Sequence, residues 1–356
     1  MSSTPPFYSR QTADNRLRAP SYTPRPVDSR RPKVAILGTR FGDFDLERGV
    51  LGDVDLVWGP GQTMDDVIAV AAGADVILAG AAPRFDAGTL EKLESRAIVR
   101  LGVGVDHVDL DSARSLGMWV VNVPDYGMDA VALHATTLVL ASLRRLTTAD
   151  RKLREGSWGV ANLRPLRLPS SLTAGVIGFG RIGRRVALLL AGLGFEAVLV
   201  SDPAVDASDV TTALGDAPGR LAGVEELLAG SDVVTLHSPP PAHGYLLGAS
   251  ELRTMKEGSI LVNTARGSLL DTEALVAALG DNRPGFAALD VFEHEPPDVS
   301  VFEPVAERVI LTPHMSWYTE ESELALRRQA AAEARRILDS EPPLHAVVTP
   351  EAAEIG

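Results

Sequence analysis

Short apolar runs recur along most of the chain, and longer stretches with helical spacing of apolar residues separate them. Gly, Asp or Pro bounds these runs, which is typical of buried parallel strands. The first series predicts strands at residues 34–37, 76–79, 98–101 and 119–123. The second series predicts strands at residues 174–177, 197–200, 233–236, 260–262, 287–289 and 309–311.

Helical patterns alternate with these runs. A helix predicted at 129–145 separates the two series, helices at 182–193 and 272–279 lie within the second, and a charged helix from 319 to about 340 ends the chain. The predicted fold class is therefore α/β, with two doubly wound parallel-sheet domains. The 356 residues are enough for two separate cores.

The first 32 residues differ from the rest of the chain. They contain six prolines and six arginines and show neither helical nor strand periodicity. We therefore predict an extended N-terminal arm at residues 1–32. A nucleic-acid-binding tail is the alternative interpretation of its arginines.

Composition narrows the classes of partner. The 34 basic and 47 acidic residues give a net charge of −13, which argues against a dominant nucleic-acid or acidic-membrane partner. The chain has no cysteine, which excludes disulfides, thiolate zinc sites and cysteine nucleophiles and fits a reducing cytoplasm. No apolar stretch reaches the ~20 residues of a membrane span. We predict a cytoplasmic protein without a membrane partner.

A glycine-rich turn is the most informative motif. Gly178, Gly180 and Gly183 follow the predicted strand 174–177 and open the predicted helix 182–193. In this context the first glycine permits a tight turn, the second lets the backbone approach a pyrophosphate, and the third lets helix and strand pack closely. The helix N-terminus then faces the phosphates. The motif predicts a dinucleotide site rather than an ordinary glycine loop.

An acidic residue follows the motif at a suitable interval. Asp202 ends the next predicted strand and lies 202 − 178 = 24 residues after the first glycine. A carboxylate there accepts hydrogen bonds from the adenosine ribose hydroxyls and repels a 2′-phosphate, which predicts NAD rather than NADP. A turn residue beside Pro203 is the alternative interpretation.

Three later predicted strands are each followed by a side chain that can bind an anion or transfer a proton. Arg266, Glu295 and His314 each follow a predicted strand within residues 262–267, 289–296 and 312–314. The carboxyl ends of strands in a doubly wound sheet face the ligand crevice. Taken singly, these residues could be an ion pair, a loop acid and a polar strand end. Together they match the needs of one reaction.

These motifs resemble the D-isomer-specific 2-hydroxyacid dehydrogenase family, in the family's order and spacing, from about residue 33 to 336. Residues 101–106 and 314–321 resemble the branch that contains the C-terminal-binding-protein corepressors. The resemblance implies a Rossmann-type NAD-binding domain at 129–317. It also implies a flavodoxin-like substrate domain at 33–128 and 318–346, with the active site in the cleft between the two.

The resemblance assigns roles by position. Arg266 binds the substrate carboxylate and polarises the 2-oxo group, a task that suits the guanidinium fork. His314 is the acid/base, and Glu295 orients its ring and keeps it protonated. Val103 and Gly104 supply backbone amides to the carboxylate. Trp317, if it reaches the pocket, suits an apolar substrate side chain, and a core aromatic is the alternative.

The resemblance also implies a set of cofactor contacts. Asp290 would lie on the nicotinamide side, with Thr264 and Ala265 nearby. The predicted NAD contacts are Gly178, Gly180, Arg181, Ile182, Gly183, Asp202, Ser238, Pro239, Thr264, Ala265 and Asp290.

No metal site is predicted. The acids around His107 (Asp106, Asp109 and Asp111) are typical of a solvated helix start.

The chain departs from the family pattern in two places. Leu133 stands where family members usually have an acid, so His134 is interpreted as a structural helix residue. Residues 79–82 (Ala-Gly-Ala-Ala) offer no side chain for a phosphate, although Arg84 lies close by. No regulatory domain is expected after Gly356. Both of the last two points argue against a 3-phosphoglycerate substrate.

We therefore predict an NAD-dependent oxidoreductase that interconverts a 2-oxo acid and a D-2-hydroxy acid. A homodimer is also predicted, because the 129–145 helix carries apolar residues on more than one face and the family dimerises through this region. The alternative from another class is an NADH-binding scaffold with little catalysis. A formate dehydrogenase fits poorly, because that group pairs its histidine with glutamine where this chain has Glu295.

Overall fold

The protein is described by a computed structural model at residues 30–39, 41–81 and 83–350. The described residues form two compact units, one with those up to Tyr126 and from Leu324 onward, the other with Gly127–Glu323. The predicted boundaries, 128/129 and 317/318, differ from these by 128 − 126 = 2 and 323 − 317 = 6 residues. The second difference covers a turn that Thr319 and Ser322 close by mutual hydrogen bonds of 2.7 and 3.0 Å.

The first unit is a six-stranded sheet with the order β13-β5-β4-β3-β1-β2. All pairings are parallel except that of β13 with β5. Its strands are β1 (Lys33–Leu37), β2 (Asp55–Gly59), β3 (Val76–Ala79), β4 (Ala97–Arg100), β5 (Trp119–Val121) and β13 (Ala346–Val348). Its helices are α1 (Asp45–Leu51), α2 (Met64–Ala71), α3 (Ala87–Leu90), α4 (Leu110–Ser115) and most of α12 (Glu320–Leu338).

The second unit is a seven-stranded parallel sheet with the order β12-β11-β10-β9-β6-β7-β8. Its strands are β6 (Thr173–Ile177), β7 (Ala197–Ser201), β8 (Gly219–Leu221), β9 (Val233–Leu236), β10 (Ile260–Asn263), β11 (Phe286–Leu289) and β12 (Val309–Leu311). Its α-helices are α5 (Met128–Leu143), α6 (Leu146–Arg154), α7 (Arg181–Gly192), α8 (Ala207–Leu214), α9 (Val224–Gly230), α10 (Ala249–Thr254) and α11 (Thr272–Gly280). Short 3₁₀ segments lie at Ala161–Leu163, Pro169–Ser171 and Gly267–Leu269, and two more lie on either side of a kink at Val305 within Val299–Arg308.

Both strand orders are those of doubly wound folds. The first unit has the flavodoxin-like order with an added antiparallel edge, and the second has the Rossmann order with an added strand. The predicted α/β class with two parallel sheets is confirmed. The strand order of the second sheet reverses between β6 and β9, and ligands bind outside the carboxyl ends of strands at such a point.

Apolar side chains cover both faces of the second sheet. Val176 and Ile177 are neighbours in β6, and because side chains alternate along a strand they belong to different cores. The core with Val176 includes Leu138 and Val139 of α5, and the core with Ile177 includes Leu275 of α11. Helices on both faces therefore hold the carboxyl ends of the strands at one rigid edge.

The strand predictions are confirmed for the central strands and for the edge strand β12, and they fail for the other three edge strands. The predicted bounds of β3, β9 and β12 are the observed ones, and the other predicted strands shift by at most two residues at either end. Three observed strands, β2, β8 and β13, are missing from the prediction. Each is an edge strand: polar residues or glycine interrupt the apolar run in β2 and β8, and β13 has only three residues.

Within the described residues, no helix combines the length and apolar character needed to cross a membrane. In the same part of the chain, no group of three or more His, Cys, Asp or Glu side chains is placed to hold a metal ion. Asp109 caps α4 by accepting a hydrogen bond from the Ser112 N–H at 2.9 Å. Residues 1–29 of the predicted arm lie outside the described residues, and Arg30 donates to the Gly73 carbonyl at 3.0 Å.

Candidate active site

The glycine turn joins the end of β6 to the start of α7. Gly178 has φ +92°, and a Cβ there would lie 2.5 Å from the backbone of His237. A Cβ on Gly183 would overlap the Gly178 carbonyl, so helix and strand pack closely only without a side chain. At Gly180 a Cβ would meet none of the described atoms within 4 Å. Space for a ligand therefore lies over the backbone of the second glycine.

Asp202 closes one side of this turn. Its Oδ2 accepts a hydrogen bond from the Phe179 N–H at 2.7 Å, and its Oδ1 accepts one from the Ala204 N–H at 2.8 Å. An ionised carboxylate can accept about four hydrogen bonds. Each oxygen of Asp202 thus keeps capacity for a ribose hydroxyl, at the position where the sequence predicts that contact.

Two hydroxyl groups at neighbouring strand ends have no partner. The Oγ of Ser238, after β9, and the Oγ1 of Thr264, after β10, are buried and make no hydrogen bond to any described residue. Buried polar groups are nearly always hydrogen-bonded. With the open glycine turn and Asp202, these two orphaned hydroxyls fit a dinucleotide with its own polar groups.

His237 packs against the glycine turn at Gly178. Burial lowers the pKa of the His237 imidazole to about 3, so the ring is neutral at physiological pH. Its Nε2 lies 2.9 Å from the Thr235 hydroxyl, and its backbone N–H donates to the Ile177 carbonyl at 2.7 Å. The sequence analysis did not single out this residue.

Arg266 stands on a loop that Asn263 holds. The Nδ2 of Asn263 donates to the Arg266 carbonyl at 2.8 Å, and its Oδ1 accepts from the Ala265 N–H at 3.0 Å. Asn263 is fully buried. A Cβ on Gly267 would overlap the backbone of Phe292, so this glycine lets the Arg266 loop approach the loop that carries Glu295.

Glu295 and His314 form a close pair. The Nδ1 of His314 lies 2.6 Å from Oε2 of Glu295, and Oε1 of Glu295 accepts from the Phe292 N–H at 3.1 Å. Both side chains are partly exposed, 44% for His314 and 36% for Glu295, so the pair can be reached by a ligand. The second ring nitrogen of His314, Nε2, meets no polar partner among the described residues and is available for proton transfer.

The local charges keep Glu295 ionised. Partial burial works to raise the pKa of its carboxyl, but the hydrogen bond and charge of His314, the Phe292 N–H and the charge of Arg266 outweigh it. The pKa of Glu295 therefore lies below its ordinary value. The positive charge of Arg266 contributes to this lowering, after the larger effects of His314 and the Phe292 N–H.

Asp290 lies behind this pair and is fully buried. Its Oδ1 accepts from the Thr312 hydroxyl at 2.6 Å and from the Met315 N–H at 3.0 Å, and its Oδ2 accepts from the Ser316 N–H at 2.9 Å. The carboxylate thus holds the turn after β12. Its predicted contact on the nicotinamide side stays a prediction.

In the first unit, residues 101–104 follow β4. Gly102 has φ +151°, and Arg100 donates to the carbonyl groups of Ala79 (3.3 Å) and Leu101. The N–H groups of Val103 and Gly104 donate to none of the described residues. Free backbone amides at a strand end suit an anion such as a carboxylate.

Trp317 lies three residues after His314 and is half-buried. Its ring meets that of Tyr318 edge-on, with centroids 5.6 Å apart. Neither of its two interpretations, substrate contact or core aromatic, is tested by this geometry. Arg181 and Pro239 are exposed, and Ile182 is partly buried at the start of α7.

Comparison with known proteins decides the family. The model of the D-isomer specific 2-hydroxyacid dehydrogenase NAD binding domain matches residues 136–316, about half of the chain. The chain belongs to the D-isomer-specific 2-hydroxyacid dehydrogenase family. Its second unit therefore carries the NAD-binding domain of this family, which confirms the predicted cofactor. The likeness to the corepressor branch stays a prediction.

Individual relatives agree with this assignment. A D-3-phosphoglycerate dehydrogenase of Mycobacterium tuberculosis is 35% identical over 86% of this chain and 56% of its own length. The apo-structure of Escherichia coli D-lactate dehydrogenase has a TM-score of 0.77 and 28% identity, and covers 89% of this chain and 100% of that one. D-Lactate dehydrogenase from Aquifex aeolicus, complexed with NAD and lactic acid, has a TM-score of 0.78 and 26% identity, with 89% and 100% covered.

The curated relatives are longer than this chain. This chain spans about half the length of the curated relatives that it matches. The names of the three relatives reported above point to different substrates, 3-phosphoglycerate and lactate. Family membership therefore leaves the substrate open.

Proposed function

We propose that this protein is an NAD-dependent oxidoreductase that interconverts a 2-oxo acid and a D-2-hydroxy acid. The observation that carries the proposal is the His314–Glu295 pair, with 2.6 Å between Nδ1 and Oε2, in the field of Arg266. An imidazole held by a carboxylate beside a guanidinium supplies both the proton and the carboxylate anchor that this reaction needs.

The three side chains divide the work. Arg266 binds the carboxylate of the substrate and polarises its 2-oxo group through the same fork. His314 donates a proton from Nε2 to the carbonyl oxygen in reduction and accepts it in oxidation. Glu295 orients the ring and stabilises the imidazolium. Bound NAD supplies the hydride chemistry, and Asp202 with the glycine turn holds it in place.

We propose a substrate whose side chain carries no phosphate. Among the described residues of the segment after β3, Gly80 and Ala81 have no group that could bind one. A residue with a side chain could not replace Gly80, because a Cβ there would overlap the Gly38 carbonyl. Arg84 is exposed nearby and is the residue on which a phosphate preference would depend.

NADH consumption against a panel of 2-oxo acids tests the proposal. The panel should contain branched, thioether, aromatic, phosphorylated and phosphonate side chains. Oxidation of NADH with at least one unphosphorylated acid is the expected result. Tight NADH binding with no turnover on any member would favour the scaffold alternative. A preference for the phosphorylated member would contradict the proposed substrate class.

Replacing Asp202 should narrow the preference for NAD over NADP. Asp202→Asn keeps an oxygen for the Phe179 N–H but removes the charge that repels a 2′-phosphate. We expect the NAD/NADP ratio of kcat/KM to fall by about tenfold or more, since loss of a charged acceptor is worth about 1.5–3 kcal/mol. Asp206→Asn is the matched control, because asparagine caps α8 as well as aspartate does. An unchanged ratio in Asp202→Asn would show that Asp202 does not select the cofactor.

We also propose a homodimer formed through α5, α6 and the segment that follows. In α5, Leu138 and Val139 are buried, whereas Leu133 is 60% exposed. Several large apolar side chains are exposed farther along: Leu146, Leu153, Trp158, Val160 and Leu168. So many exposed apolar residues in one stretch are typical of a surface that another chain covers. A second copy of this chain fits, because most soluble oligomers are symmetric homo-oligomers.

Light scattering at micromolar concentration should give twice the chain mass of 37.8 kDa. Trp158→Glu should give the single-chain mass, because its indole is 92% exposed and a charge there would be buried in the interface. Trp58→Glu, at a tryptophan of the other unit that is 55% exposed, is the matched control and should leave the mass unchanged. A wild-type mass of one chain would exclude the dimer. The cytoplasmic location stays a prediction from the composition.

A further inference from the structure

His134 on α5 reaches the turn that carries His314, although the two lie on distant parts of the chain. Its Nε2 is 3.2 Å from Oγ1 of Thr312, a residue 178 positions away, and 3.7 Å from Oδ1 of Asp290. The His134 side chain is only 17% exposed. A histidine of a helix thus meets the buried carboxylate behind the proposed acid/base.

The hydrogen-bond directions can be assigned. Both oxygens of Asp290 already accept hydrogen bonds from the N–H groups of Met315 and Ser316, and the Thr312 hydroxyl has one proton to donate. At 2.6 Å from Oδ1, that proton goes to Asp290. The Thr312 oxygen therefore accepts from His134, which must carry its proton on Nε2. In this hydrogen-bond network His134 donates to Thr312, and Thr312 donates to Asp290.

This hydrogen-bond network ends at the backbone of residues 314–316, the turn that carries His314. Asp290 accepts from the N–H groups of Met315 and Ser316, and its carbonyl accepts from the His314 N–H at 2.8 Å. His314 itself has φ +49°, a left-handed conformation that costs a non-glycine residue about 1 kcal/mol or more. Such a conformation persists only where the surroundings hold it, and Asp290 provides those contacts.

We propose that His134 is a positioning residue for the dehydrogenase reaction. By donating to Thr312 it keeps the Thr312 hydroxyl aimed at Asp290, and Asp290 then holds the turn that presents the His314 imidazole. His134 itself touches neither the Glu295 carboxylate nor the Arg266 loop in any described contact. This inference rests on the proposed function for its kinetic consequences, but the network itself can be measured without turnover.

Three variants test the role in catalysis. His134→Ala should lower kcat for 2-oxo acid reduction by about tenfold, with KM for the acid and Kd for NADH within about twofold of wild type, because a loosened acid/base affects the reacting complex more than binding. His134→Gln should recover most of kcat, since its amide N–H reaches about as far as Nε2. Thr137→Ala removes a similar side-chain hydrogen bond, to the Leu133 carbonyl, one helical turn along, and should leave kcat unchanged.

A double-mutant cycle tests the path through Thr312. Thr312→Val keeps the shape of the side chain and removes the hydroxyl that links His134 to Asp290. The double variant His134→Ala with Thr312→Val should be no slower than Thr312→Val alone, because both changes break one network. Additive losses would contradict the path.

Amide hydrogen exchange without substrate gives a readout that does not depend on activity. His134→Ala should speed exchange at the Met315 and Ser316 amides, while His134→Gln and Thr137→Ala should not. The inference is overturned if His134→Ala leaves both kcat and these two amides unchanged, or if His134→Gln is as impaired as His134→Ala. If the exchange changes but wild type reduces no 2-oxo acid, the proposed function fails and the positioning network stands.

Discussion

Arg266→Lys should lower kcat/KM for 2-oxo acid reduction by about a hundredfold to a thousandfold, the usual effect of removing one electrostatic donor from a developing oxyanion. Lysine keeps the charge but has a single ammonium, which cannot bind a carboxylate and a carbonyl oxygen with a planar fork. A hundredfold loss corresponds to about 2.7 kcal/mol of transition-state stabilisation. Steady-state kinetics with the best acid of the panel measure the effect.

The control separates substrate binding from folding and cofactor binding. Kd for NADH, measured by fluorescence, should stay within about twofold of wild type, because Arg266 is not among the predicted cofactor contacts. Arg253→Lys, at an exposed arginine of α10 in the same unit, should leave the kinetics unchanged. A kcat/KM of Arg266→Lys close to that of wild type would remove Arg266 from the proposed mechanism.

Glu295→Gln should move the pH profiles of both reaction directions to lower pH. The pKa of Glu295 lies below its ordinary value, so the wild-type carboxylate is ionised near neutrality and stabilises protonated His314. Glutamine keeps the shape and an acceptor oxygen but removes the charge. Reduction needs protonated His314, so its falling limb should shift to lower pH. Oxidation needs neutral His314, so its rising limb should shift in the same direction.

The effect of Glu295→Gln on the reduction rate at neutral pH can be expressed as a free energy. Reduction about tenfold slower than in wild type would correspond to about 1.4 kcal/mol of lost transition-state stabilisation. Glu293→Gln removes a carboxylate from the same loop, one that accepts hydrogen bonds from the Thr272 N–H and the Tyr245 hydroxyl, and should leave both limbs in place. Unchanged profiles in Glu295→Gln in both directions would show that the carboxylate does not tune the histidine.

The sequence alone was sufficient for the features that depend on local constraints. The strands β3 and β9 have their predicted bounds, because a strand buried on both faces is a continuous apolar run. The glycine motif could be identified as a dinucleotide-binding turn because the backbone of that one turn requires glycine, as the φ of +92° at Gly178 shows. The approach of Asp202 to this turn follows from the interval of one βαβ unit.

Only the tertiary structure decided the features that depend on how distant segments meet. The edge strands β2 and β8 carry polar residues or glycine, and the edge strand β13 has only three residues, so their apolar patterns are weak. Asn263 and Thr312 act through side-chain hydrogen bonds at strand ends, which no periodicity reveals. His134 was interpreted as a structural helix residue, and its place beside Thr312 and Asp290 exists because α5 packs across the sheet at β10 and β11. Contacts across 178 positions of chain have no local signal, whereas helix, strand and turn patterns do.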